Sequence, residues 1–91
     1  MATALKYAEM SELRDAVSSR RQIRFECSGL HYLAEPHEIA TCPRTRSFVV
    51  VLWVLNGPGG TGWKTVRFCH MREMEVAEDR FHPRGDLPSR W

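Results

Sequence analysis

Phe48-Val49-Val50-Val51-Leu52-Trp53-Val54-Leu55, then Asn56-Gly57-Pro58-Gly59-Gly60-Thr61-Gly62, then Trp63-Lys64-Thr65-Val66-Arg67-Phe68-Cys69-His70-Met71, decides how this chain folds. The first segment has no polar residue. Alternate side chains on a strand point to opposite faces, so this strand would be apolar on both. A strand of that kind is covered on both sides and belongs in the centre of a sheet. The middle segment continues neither helix nor strand, because glycine permits positive φ and proline lacks a donor. The third segment reads as a second strand, Trp63–Met71, with Lys64, Arg67 and His70 among apolar residues.

Working outward, Gln22–Ser28 alternates Ile23, Phe25 and Cys27 against Arg24 and Glu26, the pattern of a half-buried strand. Ser28-Gly29 gives a turn. His31–Ala40 reads as a further strand, broken at Glu35-Pro36; proline places that point at an edge or a bend. Pro43 stops it in the turn Thr41–Arg46. Upstream, Met10, Leu13, Ala16 and Val17 recur at helical spacing, with Ser11 as the expected cap and Arg20 and Arg21 near the C-terminus. Downstream, Arg72-Glu73 reads as a turn and Met74–Ala77 as a fifth strand. Glu78–Trp91, with Pro83, Gly85 and Pro88, reads as an irregular tail anchored by Phe81.

The expected fold is mainly β with one N-terminal helix: a small Sm-like or SH3-like five-stranded antiparallel barrel. Residues 1–10 form an arm or helix extension, 11–82 the barrel with its helix, and 83–91 the tail. Ninety-one residues make one domain, which buries roughly 60–65% of the surface its unfolded chain exposes.

Net charge is only +2, yet it is unevenly spread. Residues 41–72 hold Arg44, Arg46, Lys64, Arg67 and Arg72 and no acid. That third of the chain is suited to an anion. Arginine is the usual choice for phosphate recognition and base stacking, although a GC-rich coding sequence gives the same bias. Three cysteines without regular spacing point to free thiols in a reducing compartment. The N-terminus has no apolar signal core, and the apolar run is too short to span a bilayer. A cytoplasmic protein is expected.

The basic strand has two readings. With Val66 and Phe68 inward, Trp63, Thr65 and Arg67 form an outward platform on which an indole stacks a base and a guanidinium holds a phosphate. With the other face inward, Trp63 is core and Arg67 is paired or snorkels. Parity alone does not choose. Arg24, Arg44 and Arg46 are candidates to join the site or simply solvated. No close Cys or His pair of metal-site spacing occurs. Cys27 and Cys69 read as small strand residues of the core. Cys69 and His70, adjacent on a strand, would point to opposite faces and make no nucleophile–base pair. Glu35, Glu38, Glu73 and Glu75 read as turn or solvent residues. The glycine-rich loop lacks the Gly-Lys-Ser/Thr ending of a phosphate loop. His37 after Pro36 reads as capping a backbone group. Neither a cofactor, a metal nor an enzymatic activity is expected.

Leu13-Arg14-Asp15-Ala16-Val17 leading to Arg20-Arg21-Gln22-Ile23-Arg24-Phe25, Ala34-Glu35-Pro36-His37, Gly62-Trp63-Lys64-Thr65-Val66-Arg67-Phe68, Met71 and Glu78-Asp79-Arg80-Phe81 before Pro83-Arg84 occur in an order that resembles the WYL domain family. The likeness is to short bacterial proteins made of that domain alone. The naming Trp-Tyr-Leu falls at Ser47-Phe48-Val49, where only the aromatic is kept. The family's later Asp-Arg falls near Cys69-His70, where the acid is lost. The resemblance implies an Sm-like barrel that senses a ligand in transcription regulation. In many relatives it follows a DNA-binding helix-turn-helix and binds nucleotides or single-stranded nucleic acid. The expected site is Lys64, Arg67 and Arg46 on phosphates and Trp63 on a base, with Arg24 and His70 at its margin. Expected partners are a nucleotide or single-stranded nucleic acid and a separate output protein, with no membrane. The other reading is an assembly module, a homodimer meeting through Met10, Leu30, Phe81 and Trp91.

Overall fold

The computed structural model describes residues 6–85 of the chain; the expectations placed on residues 1–5, Pro88 and Trp91 lie outside them. Helix α1 spans Met10–Ser19. Its N-cap is Glu9, in extended backbone and without a side-chain cap bond. Ser11 therefore lies inside the first turn rather than capping it. Leu13 and Ala16 are fully buried, with Met10 and Val17 partly packed beside them. Arg20 ends the helix in the left-handed region (φ 56, ψ 49), its N–H reaching the carbonyls of Ala16 and Val17. Glycine usually takes that place; another residue there costs roughly 1–2 kcal/mol.

Five strands follow: β1 (Arg21–Cys27), β2 (Leu30–Thr41), β3 (Phe48–Asn56), β4 (Gly62–Arg67) and β5 (Met71–Arg80). They form one antiparallel sheet in the order β4-β3-β2-β1-β5. Ser28 and Gly29, both at positive φ (54° and 78°), make the two-residue turn between β1 and β2. Gly57, where the chain leaves β3, lies so close to Tyr32 that a Cβ would sit 2.6 Å from its ring.

Two expectations about the third segment are corrected. β4 ends at Arg67, and Phe68–His70 form one 3-10 turn, so His70 and Cys69 are not strand residues. Cys69 is exposed rather than core. β5 begins at Met71, takes in Arg72 and Glu73, and continues through Glu78 to Arg80. The cause is long-range pairing: Met71 lies opposite Cys27 and Val76 opposite Ile23, while Glu73 at φ 50 absorbs an irregularity.

The register divides β3 as its sequence implies. Val50, Leu52 and Val54 join Ile23, Phe25, Tyr32, Ala34, Val66, Leu13 and Ala16 in the main core. This is the helix face. Val49 and Val51 are buried on the far face, with Trp53 half-buried beside them. Pro36 explains the bend in β2. The β1 ladder stops at Ala34, and a register shift follows between Pro36 and Glu38, so proline's missing N–H breaks no pair with β1.

The expected barrel closure is absent, because β4 and β5 are edges and do not pair with each other. The sheet is nonetheless curled. Three residues join these edges, and four Cα steps of 3.80 Å reach at most about 15 Å. The arm covers part of the β5 edge through a Tyr7–Arg72 bridge and a Glu73 N–H to Lys6 carbonyl bond of 2.8 Å.

Candidate functional site

Strand β4 answers the question of parity. Val66 is buried in the core, so Trp63, Thr65 and Arg67 point to the far face. Thr65 and Arg67 are exposed. Arg67 lies opposite Val49, at the end of the sheet where the β2–β3 turn closes. That turn is held by Cys42 N–H to the Ser47 carbonyl (2.9 Å) and Arg46 N–H to the Cys42 carbonyl (2.7 Å), with Arg46 at φ 59. Hydrogen bonds from the Thr45 backbone, the Thr45 hydroxyl and the Arg44 backbone hold the Cys42 thiol below its usual range. The Arg67 charge acts weakly in the same sense; its position follows from the register, since Val49 opposite Arg67 adjoins Phe48, which pairs with Thr41 at the mouth of the turn.

The other candidate residues do not converge there. Lys64 projects to the helix face, its ammonium 5.5 Å from the centre of the Tyr32 ring. It thus points away from Arg67 and cannot share a phosphate with it. Arg24 is exposed on β1, opposite Glu75 and three strands from β4 in the sheet order. His70 is exposed at the end of the 3-10 turn, in a depression shared with Glu26, Ser28, Gly29 and Arg72. The predicted set therefore splits: Trp63 and Arg67 share the far face, Arg46 lies in the turn at the Arg67 end of the sheet, and Lys64, Arg24 and His70 lie in three other places.

Trp63 is also engaged. Its ring meets Trp53 edge-on at 5.3 Å, its direct cross-strand partner, and His37 at 5.0 Å. Its indole nitrogen is buried and has no hydrogen-bond partner among the described residues. An unpaired buried donor costs about 1–3 kcal/mol. The indole is thus half core and half surface, between the two readings of the sequence.

A cluster that sequence reasoning missed adjoins it. Glu35, expected in solvent, is only 6% exposed. It lies opposite Trp53 on the far face. Its Oε1 accepts from Arg84 Nε at 2.9 Å and is hydrogen-bonded to His37 Nε2 at 3.1 Å. Arg84 Nη2 lies 3.5 Å from Oε2. The guanidinium stacks over Trp53 at 4.1 Å, and His37 packs on Phe81 at 4.7 Å. His37 therefore bonds a carboxylate rather than capping the backbone. The available signal was β3 itself: a strand apolar on both faces requires its neighbour's residues to be covered too. Which cation meets Glu35 was not legible, since Arg84 lies 49 positions away.

Among the described residues, no group of three or more His, Cys, Asp or Glu is placed to hold a metal ion, and no helix is long and apolar enough to cross a membrane. Phe81 is buried as the tail's anchor and Met10 is half-buried, so neither offers the expected assembly surface; Leu30 does stand exposed. No protein-family model, curated protein or solved structure matches the chain.

Proposed function

We propose that this chain is a non-enzymatic, WYL-like sensing module of the cytoplasm that binds a nucleotide or a short single strand of nucleic acid and acts through a separate output protein. The observation that carries this reading is the placement of Arg67 at the sheet end where the Arg44–Arg46 turn closes, on the strand face that also bears Trp63. Arg67 and Arg46 hold phosphates, and the accessible part of Trp63 meets a base. From Thr41 to Arg72 the sequence has no acid, which favours an anion there; the acids that adjoin this face, Glu35 and Glu38, come from β2, and Glu35 is met by Arg84.

The test is fluorescence anisotropy with labelled single-stranded DNA, RNA and nucleotides over a range of salt. Binding is expected to weaken with salt. Replacing Arg46 and Arg67 by Ala is expected to reduce the log–log salt slope for a single strand by about 1.4, two contacts at roughly 0.7 each. Lys64→Ala, on the opposite face, is expected to leave affinity largely intact. Unchanged binding in the double arginine variant sinks the assignment.

A second reading, assembly through the sheet edge, is favoured by β4 being an edge strand and by exposed Leu30 and Phe48. A concentration-dependent dimer in sedimentation, with no affinity for any nucleotide or oligonucleotide, selects it.

A further inference from the structure

The far face holds a carboxylate that the sheet has taken out of water. Glu35 sits on β2 beside β3, 6% exposed, and burial of a carboxylate is costly unless a cation meets it. The strand residue that meets it is His37, whose Nε2 lies 3.1 Å from Oε1 and is a cation only when protonated; a permanent cation comes from elsewhere. Arg84 supplies it, from the segment after β5. Its contacts are those of a recognised guanidinium: one side lies along both carboxylate oxygens, at 2.9 and 3.5 Å, and its plane lies over the Trp53 ring at 4.1 Å. Planar charge, paired acceptors and a π-face select guanidinium over ammonium.

Two features separate this from an ordinary internal salt bridge. The carboxylate is 7% exposed while the arginine side chain is 35% exposed, so the acceptor is built into the sheet and the cation is not. The segment is also lightly held. Phe81 is buried and its N–H bonds the Arg20 carbonyl at 2.8 Å, but His82, Pro83 and Gly85 are exposed. Beyond Phe81, the hydrogen bonds that tie the described segment to the sheet are those of Arg84. A cavity of about 320 Å³ lined by Val17, Pro36, His37, Phe81 and Arg84 opens alongside.

We propose that Glu35 and Trp53 form a guanidinium-binding site, occupied here by the chain's own Arg84, which a guanidinium from outside displaces. Arg84 is then an internal competitor. A short tether holds it at an effective concentration of order millimolar, which suppresses weak external ligands and yields to one with further contacts. The guanidinium comes either from an arginine side chain on a peptide or from a free guanidino compound. This site lies apart from the Arg46–Arg67 end and does not depend on nucleic-acid binding there.

The experiment uses the full chain and its Arg84→Ala variant, with shifts of the backbone amide resonances of β2 and β3 read by NMR. The probes are N-acetyl-arginine methylamide, the capped peptide His-Pro-Arg-Gly, and the lysine counterpart of each. Removal of Arg84 is expected to tighten both arginine probes by the factor 1 + C/K, about tenfold for an effective concentration of about 1 mM and an intrinsic Kd of about 0.1 mM. Lysine probes are expected to bind more weakly. Glu35→Gln in the Arg84→Ala background is expected to abolish binding; if that protein fails to fold, Trp53→Leu in the same background takes its place and is expected to weaken it. A peptide that binds more tightly than the amino-acid derivative assigns the site to a peptide; equal affinities assign it to a free guanidino compound. Equal affinity in parent and Arg84→Ala protein, no binding to either, or binding indifferent to Glu35 and Trp53, overturns the proposal.

Discussion

The two faces of this sheet are built by different physics. On the helix face, Ile23, Phe25, Val50 and Leu52 close against Leu13 and Ala16, with almost every contact apolar. On the far face, two buried valines give way to Trp53, Trp63, His37 and a carboxylate bridged to an arginine. The first face gains from removing apolar area from water, which needs no particular partner. The second needs each polar group to meet its own partner. Val51 and Leu52 are adjacent and both fully buried, yet one belongs to each regime. A sheet can therefore be held firmly by one face while the other keeps groups that an outside molecule can address.

The largest expected effect tests the first half of that contrast. Leu52→Ala empties a fully buried site on the helix face. A loss of about 2–5 kcal/mol is expected in urea unfolding. A loss below about 1 kcal/mol would mean that the helix does not close this face as described.

A smaller effect is expected from Glu35→Gln, which keeps the shape and removes the charge shared by Arg84 and His37. Hydrogen bonds to charged groups are worth about 1.5–3 kcal/mol. Partial exposure of the Arg84 side chain, 35%, moves the expectation to about 1–2 kcal/mol. A double-mutant cycle with Arg84→Ala is expected to return a coupling of at least 0.5 kcal/mol. A smaller coupling would show that the far face is not held by this network, and a Glu35→Gln loss equal to that of Leu52→Ala would erase the difference between the faces.

The contrast also explains what was legible in the sequence. The helix face was readable because hydrophobic burial leaves a period: two for Ile23, Phe25 and Cys27, and 3.6 for Met10, Leu13 and Val17. The apolar run Phe48–Leu55 placed β3 inside the sheet. Parity correctly grouped Trp63 with Arg67, and set Lys64 on the other face, before the structure oriented them. What failed were features fixed by pairing across the fold. The end of β4, the long β5 and the burial of Glu35 depend on partners far away in the chain. The candidate site joined Lys64 to Arg67 although alternation along β4 already sets them on opposite faces; for Arg24, Arg46 and His70, charge composition carries no position.

The smallest expected effect concerns the start of α1, where sequence and structure assign different caps. Ser11 has the chemistry of a cap but lies one residue inside the helix, whereas Glu9 has the cap's backbone and makes no cap bond. Were Ser11 the cap, alanine there would cost about 1 kcal/mol. With Glu9 in that place, Ser11→Ala is expected to change thermal stability by less than about 0.5 kcal/mol, as for an ordinary surface site. Glu9→Asp is expected to stabilise by a comparable amount, because the shorter carboxylate can reach a free N–H of the first turn. The outcome bears on the helix face directly. If Ser11→Ala is neutral, α1 is held by Leu13 and Ala16 against the sheet rather than by its own terminus, as expected of a helix of only ten residues. Burial then accounts for that face from end to end.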